Sequence, residues 1–163
     1  MGKHVSQFKF IWVGKAGRKQ PEQELCERYL KRIRSYVKFK EIILKPSGHS
    51  NIVEVKNRDS SQILSKIQSQ EYVILCDEKG KSMSSVELAA YLEKCFMSGR
   101  SQLTWVVGGS MGASQELKKR ANLTLSFSKM TFPHALARII LYEQVYRALC
   151  LRSNHPYHHG ELL

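Results

Sequence analysis

The chain has 163 residues, 42% hydrophobic and 25% charged, with 26 Lys/Arg against 14 Asp/Glu for a net charge of +12. That length suits one domain, and a domain near this size buries roughly 70% of the surface its unfolded chain exposes. No apolar run approaches the ~20 residues of a membrane helix and the N-terminus lacks an apolar signal core, so a cytoplasmic protein with no membrane association is expected.

The positive charge is uneven. Residues 1–60 hold 14 Lys/Arg and 6 Asp/Glu, net +8, and the remainder 12 and 8, net +4. A polyanionic partner is expected, with its phosphates facing the N-terminal part, although charge alone does not separate RNA from DNA or acidic protein. The cysteines at 26, 76, 95 and 150 form no CxxC pair, and free thiols in a reducing compartment are expected rather than a disulfide or zinc framework.

In chain order, "QFKFIWVGK" alternates and then runs apolar from Phe8 to Val13, as a buried strand does. "PEQELCERYLKRIRSY" predicts a helix with Pro21 in its first turn, Leu25, Tyr29, Leu30 and Ile33 inward, and Arg28, Lys31, Arg32 and Arg34 outward. The loop before it adds Lys15, Arg18 and Lys19 to this basic surface. "KEIILK" reads as a second strand and "PSGHSNIVEVKN" as a polar loop punctuated by Pro46, Gly48 and Asn51. A helix through Ile63 and Ile67 leads to the strand "EYVILCD", ended by Asp77. In the next segment Ser84 and Glu87 form a capping-box pair, and Gly99 supplies the helix stop. "QLTWVVGG" is a fourth strand opening into the glycine-rich turn and short helix of "SMGASQELKKRA". "NLTLSFS" is a fifth strand, and a last helix runs from about Pro133 to Leu151. This alternation without repeat or linker predicts a single α/β domain over residues 1–163, with a mainly parallel sheet and helices on both faces.

In such sheets ligands bind outside the carboxyl ends of the strands. Three ends carry suitable residues: Cys76-Asp77, Gly108 to Gly112, and Ser128 to His134. "GGSMG" alone reads equally as a tight turn. It follows the fourth strand rather than the first, and no acidic ribose partner stands about 20 residues on, which disfavours a nicotinamide enzyme. Met130, Thr131 and Phe132 mix apolar and polar character as a site for an amphipathic ligand with an aromatic base would. His134 reads as a site residue or as part of a helix start. In the tail, His155, His158 and His159 stand on one short segment that does not readily supply three or four ligands with the groups that orient them, so no metal is expected. A solvated stub and substrate-facing groups remain as readings of that tail.

"VGK", "VVGGSMG", "LSFSKMTFPH", "LYEQVYRA" and the closing "NHPYHH" together resemble the ribosomal RNA large-subunit methyltransferase H family of the SPOUT class, over essentially the whole chain. The resemblance implies an α/β fold with a deep trefoil knot in the C-terminal half, within about residues 72–163, and a homodimer. It implies S-adenosylmethionine as cofactor, contacted by Cys76, Gly108, Phe127, Ser128, Lys129, Met130, Thr131 and Phe132. The substrate so implied is N3 of a pseudouridine in helix 69 of 23S rRNA on the assembled ribosome. His155, Tyr157 and His158 of one protomer would cover the cofactor of the other and meet the target base, Arg138 or Arg147 would hold phosphate, and the basic first helix would meet rRNA. A non-catalytic basic RNA-binding module and a methyltransferase for another RNA site are the alternatives.

Overall fold

The computed structural model describes residues 7–15, 21–48, 51–100 and 102–157. The elements follow in strict alternation: β1 (Gln7–Val13), α1 (Pro21–Ile33), β2 (Lys38–Leu44), α2 (Ile52–Leu64), β3 (Tyr72–Ser82), α3 (Ser85–Met97), β4 (Gln102–Val107), α4 (Gln115–Arg120), β5 (Leu123–Ser126) and α5 (His134–Arg152). The five strands form one sheet in the order β2-β1-β4-β3-β5, and every pairing is parallel.

Alternation along the strands divides the core between the two faces. Phe8, Phe10, Trp12, Ile74, Leu103 and Trp105 point to the side covered by α1, α3 and α5. Ile11, Val13, Leu75 and Val106 point to the side covered by α2 and α4 through Ile63 and Leu117. On the first face Phe10 meets Tyr142 edge-on at 4.9 Å and Phe8 stacks near Phe96 at 6.0 Å. Helix α5 is buried almost all round, including Leu141, Tyr142, Val145, Ala148 and Leu149, because it lies against both α1 and α3 on the sheet.

Three expectations change. The "polar loop" ends at Asn51, whose side chain accepts from the Glu54 amide at 2.9 Å and caps α2, so the helix starts at Ile52. Strand β3 does not stop at Asp77 but continues to Ser82 after a register shift between Cys76 and Lys81, because β5 pairs with its far end. On α1, Leu25 is 42% exposed whereas Cys26 is fully buried; the helix presents Cys26 to the core in its place, with Leu30 and Ile33 buried and Tyr29 packed against the core as expected. By contrast α3 carries both bonds of the capping box between Ser84 and Glu87. It closes with the Gly99 and Arg100 amides bonded back to Phe96 and Cys95. Cys26, Cys95 and Cys150 are buried free thiols and Cys76 a half-buried one. Among the described residues no helix is long and apolar enough to cross a membrane.

Candidate active site

The carboxyl ends of β4 and β5 and the register shift of β3, where its pairing with β4 ends at Cys76, enclose a cavity of about 500 Å³, within the roughly 300–1,000 Å³ range of small-molecule sites. Each strand end contributes for a local reason. After β4 the chain turns at Gly109 to Gly112, closed by the Gly112 amide donating to the Gly109 carbonyl at 3.0 Å. Gly112 has φ +80°, a conformation that disfavours any residue with a Cβ. The turn then enters α4, whose first turn is capped by Ser114.

At the end of β3, Gly80 passes so close to β5 that a Cβ there would lie 2.6 Å from the Thr124 backbone. Only a glycine lets the two strands approach this way, and the approach sets where the next loop begins. That loop is folded on itself. The Ser126 hydroxyl donates to the Glu78 carbonyl at 3.0 Å and the Ser128 carbonyl at 2.8 Å, and the Met130 amide donates to Ser128 Oγ at 3.0 Å. A short bond from the Thr131 hydroxyl to the Glu78 carboxylate ties it to β3.

Seven of the eight residues expected to contact the cofactor line this cavity: Cys76, Gly108, Phe127, Ser128, Met130, Thr131 and Phe132. Lys129, an exposed residue of the same loop, is outside the lining. Burial, and to a lesser degree the neighbouring Asp77 charge, push the Cys76 thiol up, so Cys76 offers the cavity a neutral side chain rather than a thiolate. Asp77 lies 3.1 Å from Lys118 of α4. Burial alone would raise its pKa, but the Lys79 amide and the Lys118 cation together hold it below the ordinary value.

Sequence reasoning missed Ile52 and Lys56, which α2 brings to the rim. The Asn51-x-x-Glu54 spacing was the signal that could have found them, being a helix start read as loop. Lys56, Lys79 and Lys118 border the cavity together with Asp77 and Glu78, so both signs of charge stand around it. His134 also lines it.

The other expected site residues lie elsewhere. Helix α5 ends with Asn154 at φ 53°, and the His155 and Asn154 amides bond back to Cys150 and Leu151. This is the reversal that asparagine tolerates at a helix end. It returns Tyr157 onto α5, where its ring meets Tyr146 at 4.7 Å and the Arg147 guanidinium at 5.0 Å, and its hydroxyl donates to Glu143 at 3.3 Å. Burial first, then the Tyr29 hydroxyl and the Glu143 charge, push the Tyr157 phenol up, making it a donor rather than a base. His155 is exposed, its Nδ1 accepting from the Tyr157 amide at 3.2 Å. None of His155, Pro156 or Tyr157 lines the cavity of its own chain.

Arg138 and Arg147, expected at phosphate, are 4% and 6% exposed. Arg147 pairs with Glu143. Arg138 donates to Glu41 at 2.7 Å and Gln23 at 3.0 Å and lies 4.0 Å over the Trp12 ring. Neither reaches outward, so a phosphate would have to come in to them. Of the expected RNA contacts, Lys15, Arg28, Lys31 and Arg32 are exposed. Arg28 is paired with Glu24 at 2.8 Å, one turn away. His158, Arg18 and Lys19 lie outside the described residues, as does His159. Among the described residues no three His, Cys, Asp or Glu side chains gather as a metal site would require.

Residues 7–158 match the family described as "Predicted SPOUT methyltransferase". The chain is 43% identical over 155 residues to "Ribosomal RNA large subunit methyltransferase H 1" of Clostridium perfringens, covering 91% of this chain and 96% of that protein. It is 39% identical over 155 residues to the "Ribosomal RNA large subunit methyltransferase H" of Christiangramia forsetii, covering 93% and 98%. To the protein of that name from Enterococcus faecalis it is 38% identical over 159 residues, covering 93% and 99%.

Proposed function

The chain is a methyltransferase of the ribosomal RNA large subunit methyltransferase H family within the SPOUT class, and from that premise we propose that it binds S-adenosylmethionine in the 500 Å³ cavity and methylates N3 of a pseudouridine in helix 69 of 23S rRNA on the assembled ribosome. The observation that carries the reading is the convergence of Cys76, Gly108 and the 127–132 loop on one cavity at three strand ends.

These residues suit the cofactor's chemistry. Met130, Phe132 and the neutral Cys76 give apolar contact for the adenine, and the turn at Gly108 to Gly112 brings backbone groups close to ribose and amino acid. Lysines and carboxylates at the rim match a zwitterion with an added positive charge. When bound, the sulfonium supplies an electrophilic methyl group and leaves as a neutral thioether. The protein's own part is positional and electrostatic: to hold the imide nitrogen in line with that methyl group, exclude water and offset the charge that develops as the nitrogen loses its proton. The 127–132 loop, anchored by Ser126, Ser128 and Thr131, is preorganised for this.

Further parts of the reading are a single domain over residues 1–163 in the cytoplasm, a trefoil knot within about residues 72–163 and a homodimer. In that dimer His155, Tyr157 and His158 of one protomer close over the cavity of the other. That His155 and Tyr157 stand outside their own chain's cavity supports this exchange. The test is to incubate the protein with labelled S-adenosylmethionine and either assembled ribosomes or isolated subunits from a strain lacking the modification, then map the label. Label on one helix 69 pseudouridine, in assembled ribosomes only, is expected; label elsewhere in rRNA would sink the specificity.

A further inference from the structure

A second cavity of about 200 Å³ adjoins the first, and His134 lines both. It sits where the sheet topology opens a crevice. After β1 the chain turns through α1 toward β2, whereas after β4 it leaves through α4 toward β5 on the opposite side. Neighbouring strands whose connections diverge leave an opening at their carboxyl ends, and ligands of open α/β sheets bind there. The larger cavity takes the β4 side of that opening with Gly108 and Gly109, and the smaller takes the β1 side with Trp12 and Lys15.

The wall of the smaller cavity holds a buried cation. Arg138 has five N–H donors, of which three bond Tyr142, Gln23 and Glu41. The two left over have no partner among the described residues. Glu41 pairs with the guanidinium at 2.7 Å, and the Trp12 ring lies 4.0 Å from it. Lys15 stands exposed at the rim. About 200 Å³ falls below the roughly 300 Å³ at which whole cofactors and drug-sized ligands are housed; it suits one aromatic ring. An imide base reacts as its anion, whose charge rests on the two ring carbonyl oxygens beside the nitrogen. A buried guanidinium with N–H groups to spare is complementary to that charge.

We propose that the smaller cavity receives the target base, flipped out of its RNA, with Arg138 donating to a ring carbonyl oxygen beside N3 and His134 marking the boundary across which N3 meets the methyl group. This rests on the methyltransferase reading above. Extruded bases are held in snug pockets and read along their pairing edge, and Lys15 meets the phosphate of the flipped nucleotide at the rim. The N3 proton passes to water, the nitrogen pair bonds the methyl carbon, and the carbon–sulfur pair returns to sulfur. Arg138 thus serves the base rather than the phosphate.

Ala135, half-buried in the first turn of α5, borders only the smaller of the two cavities, so Ala135→Phe and the milder Ala135→Leu fill it while Arg138 itself is kept. In the full-length protein, both variants should keep Tm within about 2 °C of wild type and S-adenosylmethionine affinity, by calorimetry, within about twofold. Methyl transfer to ribosomes lacking the modification should fall at least about tenfold, more for Phe than for Leu. If either variant, folded and binding the cofactor, methylates at the wild-type rate, the proposal is overturned. A wild-type protein that binds no S-adenosylmethionine, or labels no rRNA, overturns the reading it rests on instead.

Discussion

At Gly109 an added Cβ would stand 2.4 Å from Asp59 Oδ2, while the Asp59 Cβ is 3.6 Å away. Asp59 is 2% exposed and accepts the Ser47 amide at 2.8 Å. The next residue, Ser60, accepts the Ser114 amide at 2.9 Å. On α2, Asp59 thus packs closely beneath the start of the glycine turn and Ser60 bonds the residue that caps α4 after it. Gly109→Ala should lower stability by about 1–3 kcal/mol, as overpacking does, and weaken S-adenosylmethionine binding. In an Asp59→Ala background the obstacle is gone, so the double variant should be less impaired than the sum of the singles by about 0.5–3 kcal/mol. Urea unfolding and calorimetry measure the cycle, and strict additivity would show that the contact does not govern the turn. The glycines were legible as a turn, but Asp59 was not legible as their partner, because 50 residues separate them and only packing joins them.

At the scale of elements, what is local was legible and what is paired across the molecule was not. The limits of α3 follow from Ser84, Glu87 and Gly99, all within the helix ends they define. The continuation of β3 to Ser82 depends on β5 and on Gly80 clearing the Thr124 backbone, neither of which is a property of residues 77–82 alone. Helix α1 shows both sides of this. Its core stripe takes in Cys26 and leaves Leu25 exposed where the helix lies against α5, yet its outer face carries Arg28, Lys31 and Arg32 exposed as expected. Glu24 and Glu27 share that helix, so the basic surface is mixed rather than uniform. Replacing Arg28, Lys31 and Arg32 together by alanine should weaken ribosome binding several-fold and flatten its salt dependence, since each phosphate contact adds to the slope. Cofactor affinity should not change. Filter binding across a salt series checks this, and an unaltered ribosome affinity would move the RNA-facing surface elsewhere.

The whole molecule joins a cavity at one end of the sheet to a last helix whose following residues, Asn154 to Tyr157, fold back onto it outside that cavity. Asn154 reverses the chain and packs Tyr157 on Tyr146 and Arg147, which gives the tail a fixed origin on α5. Deleting residues 154–163 should therefore leave cofactor binding within about twofold while methylation of ribosomes falls by about a hundredfold or more, the scale at which lost positioning acts. Sedimentation run alongside reports whether the dimer persists. Retained methylation by the truncated chain would remove the tail from the active site. The sequence by itself determined the order of elements, the cap and stop of α3, the basic first helix and the family, because periodicity, turn chemistry and short motifs are written in consecutive residues. Only the tertiary structure decided that Asp59 packs beneath the glycine turn, that α2 reaches the cavity rim, that Arg138 is turned inward beside a second cavity, and that Tyr157 packs on α5 and outside its own chain's cavity. Each of these depends on which distant surfaces come together, and a spacing along the chain does not carry that information.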